Sequence, residues 1–233
     1  MKTIGLIGGM SWESTALYYQ ILNQKTKEIL GGVHSSKCLL HSVDFDDIAT
    51  LQHEGNWKFL AVNMVQSAKK LETAGAQLIL LCSNTMHKVA PEIERSIGVP
   101  FLHIVDATAE RIQKKSMTRV GLLGTRFTME EAFIKDRYLE HFGIDILIPP
   151  ANERALVHEV IYGELVKGII QDSSRRSFLR IIDRLVLEGA TGIILGCTEI
   201  ELLIRPSDTK VSLFQTTRIH AEKAVEVALG ESG

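Results

Sequence analysis

Two short polar segments carry the residue types that could do chemistry in this chain. The first is Ser83-Asn84-Thr85, with His87 two residues later, and it directly follows the apolar run 78–81. The second is Cys197-Thr198-Glu199, which follows the apolar run 193–195. A hydroxyl or thiol beside small polar groups can move a proton and bind a carboxylate. Ser83 and Cys197 are 114 positions apart (197 − 83 = 114), so the two segments occupy matching places in a repeat.

The elements that must position these segments can be predicted from the residues around them. An apolar run bounded by turn formers is typical of a buried parallel strand. Gly75 and Gly189 precede the two runs and would end the helices before them. Ligands of open α/β sheets bind at the carboxyl ends of strands, so both segments lie where chemistry is expected. Ser, Asn and Thr are also common helix caps, and two ordinary strand-to-helix caps are the structural alternative.

The chain repeats itself. Residues 119–125 echo residues 3–9 with an offset of 116 (119 − 3), and residues 211–215 echo residues 99–103 with an offset of 112 (211 − 99). Offsets of 116, 114 and 112 in one order predict a duplicated α/β unit of about half the chain. Strands alternating with helices predict parallel sheets with right-handed crossovers.

The same pattern predicts the individual elements. Helices are expected over residues 14–30, 56–73, 87–95, 107–115, 129–142, 153–167, 175–188 and 218–229, and further strands over 37–43, 101–105, 144–148 and 211–215. A duplicated fold would place the two polar loops across one cleft. That arrangement suits inversion at carbon, because one group takes the α-proton from one side and its partner returns a proton from the other.

Composition limits the classes of partner. The chain has 233 residues, 45% of them hydrophobic, and a formal net charge of −2. This balance argues against nucleic acid or a membrane surface as the main partner. The opening residues lead straight into a short strand without a signal-peptide h-region, so we expect a cytoplasmic protein. Three widely spaced cysteines do not form a disulfide framework.

Two further motifs have both a chemical and a structural interpretation. The turn Gly8-Gly9 departs from the Gly-x-Gly-x-x-Gly dinucleotide fingerprint. Its glycines would let the backbone approach a small anion or substrate, or would form a tight turn. The acids Asp46 and Asp47 are interpreted as helix caps rather than metal ligands. The sequence contains no Cys-x-x-Cys or His-Glu-x-x-His pattern to support a metal site.

The Ser-Asn-Thr-x-His segment, the Gly-Cys-Thr-Glu segment and the Gly-Gly-Met opening resemble the aspartate/glutamate racemase family over nearly the whole chain. The resemblance implies an α/β fold of two pseudo-symmetric domains, each with a parallel-type sheet flanked by helices, and an active site in the cleft between them. It also implies a cofactor-independent isomerase that uses one cysteine from each half as a thiol/thiolate pair. The first domain would comprise residues 1–97 plus 211–233, and the second residues 98–210.

The resemblance assigns the catalytic roles to Cys197 and Ser83. Cys197 matches the second family cysteine, and its loop opens a helix whose N–H groups would favour a thiolate. Ser83 stands where the family usually has its first cysteine. A hydroxyl is a far weaker acid than a thiol, so we expect asymmetry: Cys197 serves one enantiomer well and the Ser83 side is slow. Strand alternation points the neighbouring Cys82 to the opposite face.

Residues for substrate binding also follow from the resemblance. The positions that match the family's α-carboxylate site are Met10, Asn84, Thr85, Thr125, Thr128 and Thr198. Glu199 either orients a residue that contacts the substrate or is a charge at a helix N-terminus, and the helix role is favoured. Lys167, Arg126 and Gln52 are candidates for holding a side-chain carboxylate. If none of them reaches the cleft, a less polar amino acid becomes the expected substrate.

The leading hypothesis is a cofactor-independent amino-acid racemase, of Asp/Glu type or of broader specificity, with no metal. The alternative is a cofactor-free decarboxylase or cis–trans isomerase of a small dicarboxylic acid on the same fold. A third reading is a non-catalytic protein that binds small carboxylates. The expected partner is thus a small amino acid or dicarboxylate rather than nucleic acid or a membrane. The sequence leaves a homodimer open.

Overall fold

The computed structural model describes residues 1–230, in which strands and helices alternate. The strands are β1 (Ile4–Gly8), β2 (Cys38–Ser42), β3 (Leu78–Leu81), β4 (Phe101–Leu102), β5 (Arg119–Gly124), β6 (Asp145–Leu147), β7 (Gly192–Gly196) and β8 (Ser212–Gln215). The α-helices are α1 (Trp12–Leu30), α2 (Phe45–His53), α3 (Trp57–Thr73), α4 (Ala90–Glu94), α5 (Ile104–Gln113), α6 (Arg126–Glu130), α7 (Ala132–Phe142), α8 (Ala151–Gly163), α9 (Asp172–Leu187), α10 (Ile200–Leu203) and α11 (Thr216–Leu229). Short 3₁₀ turns cover Thr85–Val89, Leu165–Lys167 and Pro206–Asp208.

The strands form two four-stranded sheets with the same order. The first sheet runs β2-β1-β3-β4 and the second β6-β5-β7-β8, and every strand pair is parallel. The α/β fold with two parallel sheets flanked by helices, predicted from the sequence, is confirmed. The two polar segments follow β3 and β7, which hold the same inner position in their sheets.

The chain divides into two compact units. The first comprises residues 1–104 and the described chain from His220 onward, and the second comprises Val105–Ile219. β4 lies in the first sheet and β8 in the second. The division predicted from the sequence, 1–97 plus 211–233 and 98–210, stays a prediction about folding domains. Two helices, α5 and α11, contain the points where the chain passes from one unit to the other.

Strand alternation divides the core of the first unit between the two faces of its sheet. Ile79 and Leu81 pack against α3 side chains on one face. Leu78, Leu80 and Cys82 pack with α1 and α11 on the other. α11 is also fixed by hydrogen bonds: the two ring nitrogens of His220 lie 2.8 Å from the Tyr18 hydroxyl and 2.9 Å from the Leu102 carbonyl. The end of the described chain thus completes the core that its first residues begin.

The second unit has an equally buried sheet. Every residue of β7 is buried, and so is every residue of β5 after Arg119. Gly121 lets α9 approach β5 closely, because a Cβ there would lie 2.6 Å from Ile193 and 2.9 Å from Leu185. None of the described helices is long and apolar enough to cross a membrane.

The glycine-rich turn after β1 serves the chain itself. Gly9 has a φ of +92°, and a Cβ at that position would collide with the backbone of Val43. The Gly9 N–H donates to the Thr15 hydroxyl at 2.8 Å. The turn therefore packs the end of β1 against the end of β2, which supports the tight-turn interpretation of Gly8-Gly9 over an anion site.

Several predicted boundaries are wrong for local reasons. The helix expected over 129–142 is split into α6 and α7, because Glu131 between them is extended. The strand expected over 101–105 ends at Leu102, because α5 begins at Ile104. The helix expected over 87–95 starts as a 3₁₀ turn and becomes α-helical only at Ala90. Asp44, rather than Asp46 or Asp47, caps α2 through the Asp46 N–H at 3.0 Å.

Candidate active site

The loop after β3 is fixed by its own hydrogen bonds. The half-buried Ser83 accepts a bond from the Met86 N–H at 3.4 Å through its hydroxyl oxygen. His87 lies with Nδ1 2.7 Å from the Ser83 carbonyl, and its Nε2 accepts from the Ile104 N–H at 3.1 Å. Because Nε2 accepts, the imidazole hydrogen is on Nδ1 and is donated to Ser83. His87 therefore ties the Ser83 loop to the start of α5, a role that its sequence position alone does not indicate.

The other expected binding residues of the first unit surround this loop. Asn84 and Thr85 are buried within it. Gln52 is buried and its amide nitrogen lies 3.1 Å from the Met86 sulfur. Met10 and Met86 belong to the same apolar cluster. The structure thus brings these four predicted residues to the region of Ser83.

Cys82 has a structural role only. It is fully buried among apolar side chains of the first core, and burial strongly raises the pKa of its thiol. A buried, protonated cysteine is chemically inert. This placement agrees with the strand alternation.

Cys197 and Glu199 form a hydrogen-bonded pair after β7. The half-buried Cys197 donates its thiol to Glu199 Oε2 at 2.9 Å. Burial, and then the charge and hydrogen bond of Glu199, raise the pKa of the thiol well above its ordinary value. Backbone N–H groups of Glu199 and Ile200 oppose this only in part. This direction runs against the expectation that the loop favours a resting thiolate, which stays a prediction; α10 has only four residues to supply a helix dipole.

The favoured helix role of Glu199 stays a prediction, since its position at the start of α10 is compatible with it. Glu199 occupies the N-cap position of α10 but makes no side-chain capping bond there. Its carboxylate is buried and accepts the thiol instead. Thr198, the third member of the segment, has its hydroxyl 2.8 Å from the Thr217 hydroxyl in the first turn of α11.

The loop after β5 is the counterpart in the second unit. Thr125 caps α6 by accepting the Thr128 N–H at 3.3 Å, and the two hydroxyl oxygens lie 3.1 Å apart. Both threonines are buried. Arg126 and Lys167, the candidate cations, are exposed residues of this unit. Within residues 1–230, no hydrogen bond or ion pair places either side chain beside Cys197.

Sequence reasoning missed three residues near Cys197 and Glu199. Tyr162 is half-buried, and its pKa rises to about 12, first through burial and then through the charges of Cys197 and Glu199. Its ring packs 4.8 Å from that of His158. The i, i+4 spacing on α8 was the available signal, but an isolated aromatic pair is common on any helix.

Glu201 is the third missed residue. Burial raises its pKa to about 8, against the opposing effects of a backbone hydrogen bond from Thr217 and the charge of Arg218. Its Oε1 is buried, with no hydrogen-bond partner in the described part of the chain. The motif that identified Cys197 ends two residues before it. Within residues 1–230 no group of three or more His, Cys, Asp or Glu side chains is arranged to hold a metal ion.

Known proteins are similar to this chain in sequence and in fold. The Asp/Glu/hydantoin racemase family model matches residues 7–224. A crystal structure of a candidate Asp/Glu racemase from Yersinia pestis is 49% identical and superimposes with a TM-score of 0.93, covering 98% of this chain and 100% of that one. An aspartate racemase homologue from Pyrococcus horikoshii is 34% identical, with a TM-score of 0.86 and coverage of 98% and 100%.

A curated relative extends the comparison to specificity. The broad specificity amino-acid racemase RacX of Bacillus subtilis is 23% identical over 234 residues, or 97% of this chain and 98% of the relative. Each match spans both sheets and both polar segments. The chain belongs to the Asp/Glu/hydantoin racemase family.

Proposed function

We propose that this protein is an amino-acid racemase that inverts Cα by two-base proton transfer, without a metal or an organic cofactor. The observation that carries the proposal is the Cys197–Glu199 hydrogen bond of 2.9 Å at the end of β7, with Ser83 at the end of the equivalent strand β3. Family membership supports racemase chemistry. The similarity to a broad specificity amino-acid racemase supports amino acids as the substrate class.

Cys197 acts on one face of the substrate. The thiol first loses its proton, for which Glu199 Oε2 is the adjacent acceptor. The thiolate then takes the α-hydrogen as a proton and reforms S–H, and the electron pair left on Cα spreads into the carboxylate. The hydroxyl and N–H groups of Asn84, Thr85, Thr125, Thr128 and Thr198 hold that carboxylate and stabilise its growing charge.

Ser83 acts on the other face. Its hydroxyl, or a water molecule it holds, gives a proton to Cα and is restored by a proton from solvent. Serine cannot rest as an alkoxide without strong activation, so removal of an α-hydrogen by this side is slow. Free enantiomers are equally stable, so the two directions of racemisation share the same kcat/KM and can differ only in kcat and KM individually.

Aspartate and glutamate are the first substrates to examine, within a broader range. Gln52 is a buried neutral donor beside the Ser83 loop, whereas the cations Arg126 and Lys167 are exposed. A neutral donor can hold a side-chain carboxylate or an amide. We infer that discrimination for a negative side chain is weak.

Deuterium incorporation tests the proposal directly. The protein is incubated in D₂O with both enantiomers of a panel of amino acids, and the loss of the α-proton is followed by NMR while chiral chromatography follows inversion. At least one amino acid should exchange and invert. Absence of exchange across the panel contradicts the proposal.

A second function is favoured by one observation. The Ser83 oxygen accepts the Met86 N–H and so serves as a cap. If capping is its whole role, Cys197 is left to do the chemistry without a partner from the first unit. A single well-placed cysteine suffices for a cofactor-free decarboxylase or a cis–trans isomerase of a small dicarboxylic acid. Release of carbon dioxide from a substituted malonate, or conversion of maleate to fumarate, without amino-acid exchange would select this alternative.

A further inference from the structure

His158 and Tyr162 form an aromatic cluster on α8 that reaches toward α6. Their ring centroids are 4.8 Å apart with an interplanar angle of 53°. Phe127 of α6 lies edge-on to His158, with centroids 6.2 Å apart at 84°. Ring pairs at these separations are attractive and geometrically specific. The cluster therefore fixes the end of α8 relative to the loop that begins α6.

The imidazole also holds the loop through a hydrogen bond. His158 Nδ1 accepts the backbone N–H of Arg126 at 3.2 Å. Arg126 is the first residue of α6, directly after the cap Thr125, so its N–H has no partner within the helix. Because Nδ1 accepts, the hydrogen of the neutral imidazole is on Nε2. The position of the 125–128 loop thus depends on one side chain of α8.

The other end of the cluster lies near the thiol. Tyr162 is half-buried, and after burial the charges of Cys197 and Glu199 are what raise its pKa, to about 12. The phenol is therefore neutral at physiological pH and lies within electrostatic reach of the Cys197–Glu199 pair. Contacts run from the 125–128 loop to His158 and from His158 to Tyr162, and the electrostatic effect of Cys197 and Glu199 on Tyr162 extends this path to the pair.

We propose that His158 and Tyr162 are positioning residues that hold the 125–128 loop and the Cys197–Glu199 pair in one fixed arrangement. The inference rests on the proposed function, in which the loop holds the substrate carboxylate and the pair handles the α-proton. The angle between carboxylate and α-hydrogen is set by the substrate, so the two protein groups must keep a matching separation. Loss of such positioning lowers turnover even when both groups remain present.

Paired substitutions distinguish the effect of the aromatic ring from the effect of the hydrogen-bond acceptor. H158F keeps an aromatic ring but removes the acceptor for the Arg126 N–H, whereas H158N keeps an acceptor near the Nδ1 position and removes the ring. Y162F keeps the ring and Y162L removes it. We expect H158F to raise KM by about threefold to tenfold, with H158N closer to wild type in KM. Y162L should lower kcat, and Y162F should lower it less. Y19F, at an exposed tyrosine of α1, is the control and should match wild type.

Alkylation of Cys197 gives a readout that needs no turnover. Iodoacetamide labelling is followed by mass spectrometry between pH 6 and 9 in the same variants. If these contacts are loosened, iodoacetamide should label Cys197 at least threefold faster in H158F and in Y162L than in wild type. In the double variant, the labelling rate should rise by less than the product of the two single increases. Circular dichroism tests whether each variant is folded. If Y162L is not folded, H158F, Y162F and their double variant are compared instead.

Two results would overturn the inference: unchanged labelling in H158F and in the Tyr162 variants, or independent, multiplicative effects. Failure of the proposed function looks different. In that case wild-type protein exchanges no amino acid, while the labelling cycle still decides whether His158 and Tyr162 act together on Cys197.

Discussion

The chemistry of Cys197 is governed by its nearest carboxylate. Burial and Glu199 both raise the pKa of the thiol, so Cys197 rests in the protonated form at neutral pH. A protonated thiol is ready to donate, and it becomes a base only after its own proton has moved. Glu199 Oε2, at 2.9 Å, is placed to receive that proton. The resting state thus differs from a thiolate activated by a helix N-terminus.

Replacing the carboxylate tests this account. In Glu199→Gln the negative charge is lost while burial remains, so the pKa of Cys197 should fall and its thiolate fraction should rise. We expect iodoacetamide to label Cys197 about threefold to tenfold faster at pH 8 than in wild type. Glu188→Gln, at an exposed residue of the same unit, is the matched control. Slower labelling in Glu199→Gln would mean that Glu199 promotes the thiolate.

Removing the thiol tests its part in turnover. Cys197→Ala should retain its fold by circular dichroism and lose α-proton exchange by a factor of about 10²–10⁴ or more, since a positioned acid/base is gone. Cys82→Ala should retain exchange, because Cys82 lies in the core, although it should unfold at lower denaturant concentration. Exchange near the wild-type rate in Cys197→Ala would place the chemistry elsewhere.

The role of a residue could be predicted where the backbone conformation sets the direction of its side chain. Strand alternation sends Cys82 into the core, and the structure has it there. The partner of Glu199 was not predictable, because a carboxylate at a helix start can cap the helix or reach back to residue 197 with equal ease. His158 and Tyr162 lie 39 and 35 positions before Cys197 in the chain (197 − 158 and 197 − 162), and only the packing of α8 reveals their part.

At the scale of elements, the first turn of α11 is joined to β7 and to the segment after it by hydrogen bonds. Thr216 donates to the Leu195 carbonyl at 2.9 Å, and Thr217 pairs with Thr198 at 2.8 Å. Glu201 accepts a hydrogen bond from the backbone of Thr217. The same acid sits in a buried environment that disfavours its charge, so this junction should respond to pH.

The sign of that response follows from the pKa of Glu201, raised from 4.5 to about 8. Below 4.5 the folded and unfolded states both hold the proton. Between pH 4.5 and about 8 the unfolded chain has released the Glu201 proton while the folded chain still holds it. Rising pH therefore favours unfolding over this range. Glu201→Gln removes the titration. We expect the variant to be more stable than wild type by roughly 1–3 kcal/mol at pH 8 and by little at pH 4.5. Urea unfolding at both pH values measures the difference, with Glu188→Gln as control, and an equal difference at both would contradict the assignment.

The length of each helix decided how accurately its bounds could be predicted from the sequence. The predicted helices over 14–30 and 56–73 lie within two residues of α1 and α3 at each end, because several turns give a clear apolar periodicity. The four-residue α10 gives none, so a helix was expected after Cys197 but its bounds could not be predicted. The break at Glu131 could not be predicted from apolar periodicity, because α7 begins only two residues after α6 ends.

At the scale of the whole molecule, the duplication is the feature that the sequence predicts best. Offsets of 112 to 116 positions link segments that occupy equivalent strands of two sheets with identical order. The ends of β3 and β7 are thus equivalent positions, one with a hydroxyl and one with a thiol. Equivalent positions with unequal acids form a symmetric fold with asymmetric chemistry.

Restoring the symmetry should change the balance of rates. Ser83→Cys supplies a thiol at the end of β3, and we expect it to raise inversion relative to exchange and to bring the two directions of racemisation closer in kcat. Ser83→Ala should lower inversion and spare exchange on the Cys197 side. NMR in D₂O and chiral chromatography measure the two rates. Unchanged inversion in Ser83→Ala would reduce Ser83 to a cap for the Met86 N–H.

The discontinuity of the first unit has a consequence for synthesis on the ribosome. Residues 105–219 form one uninterrupted unit, whereas residues 1–104 share a core with the chain from His220 onward. Residues 1–104 must therefore wait for a segment that is translated after the whole second unit, namely the helix whose His220 meets Tyr18 and Leu102. During elongation the middle of the chain can complete its sheet while the α1 face of the first sheet still exposes apolar side chains. A nascent chain stalled before residue 220 should thus be the form most dependent on chaperones.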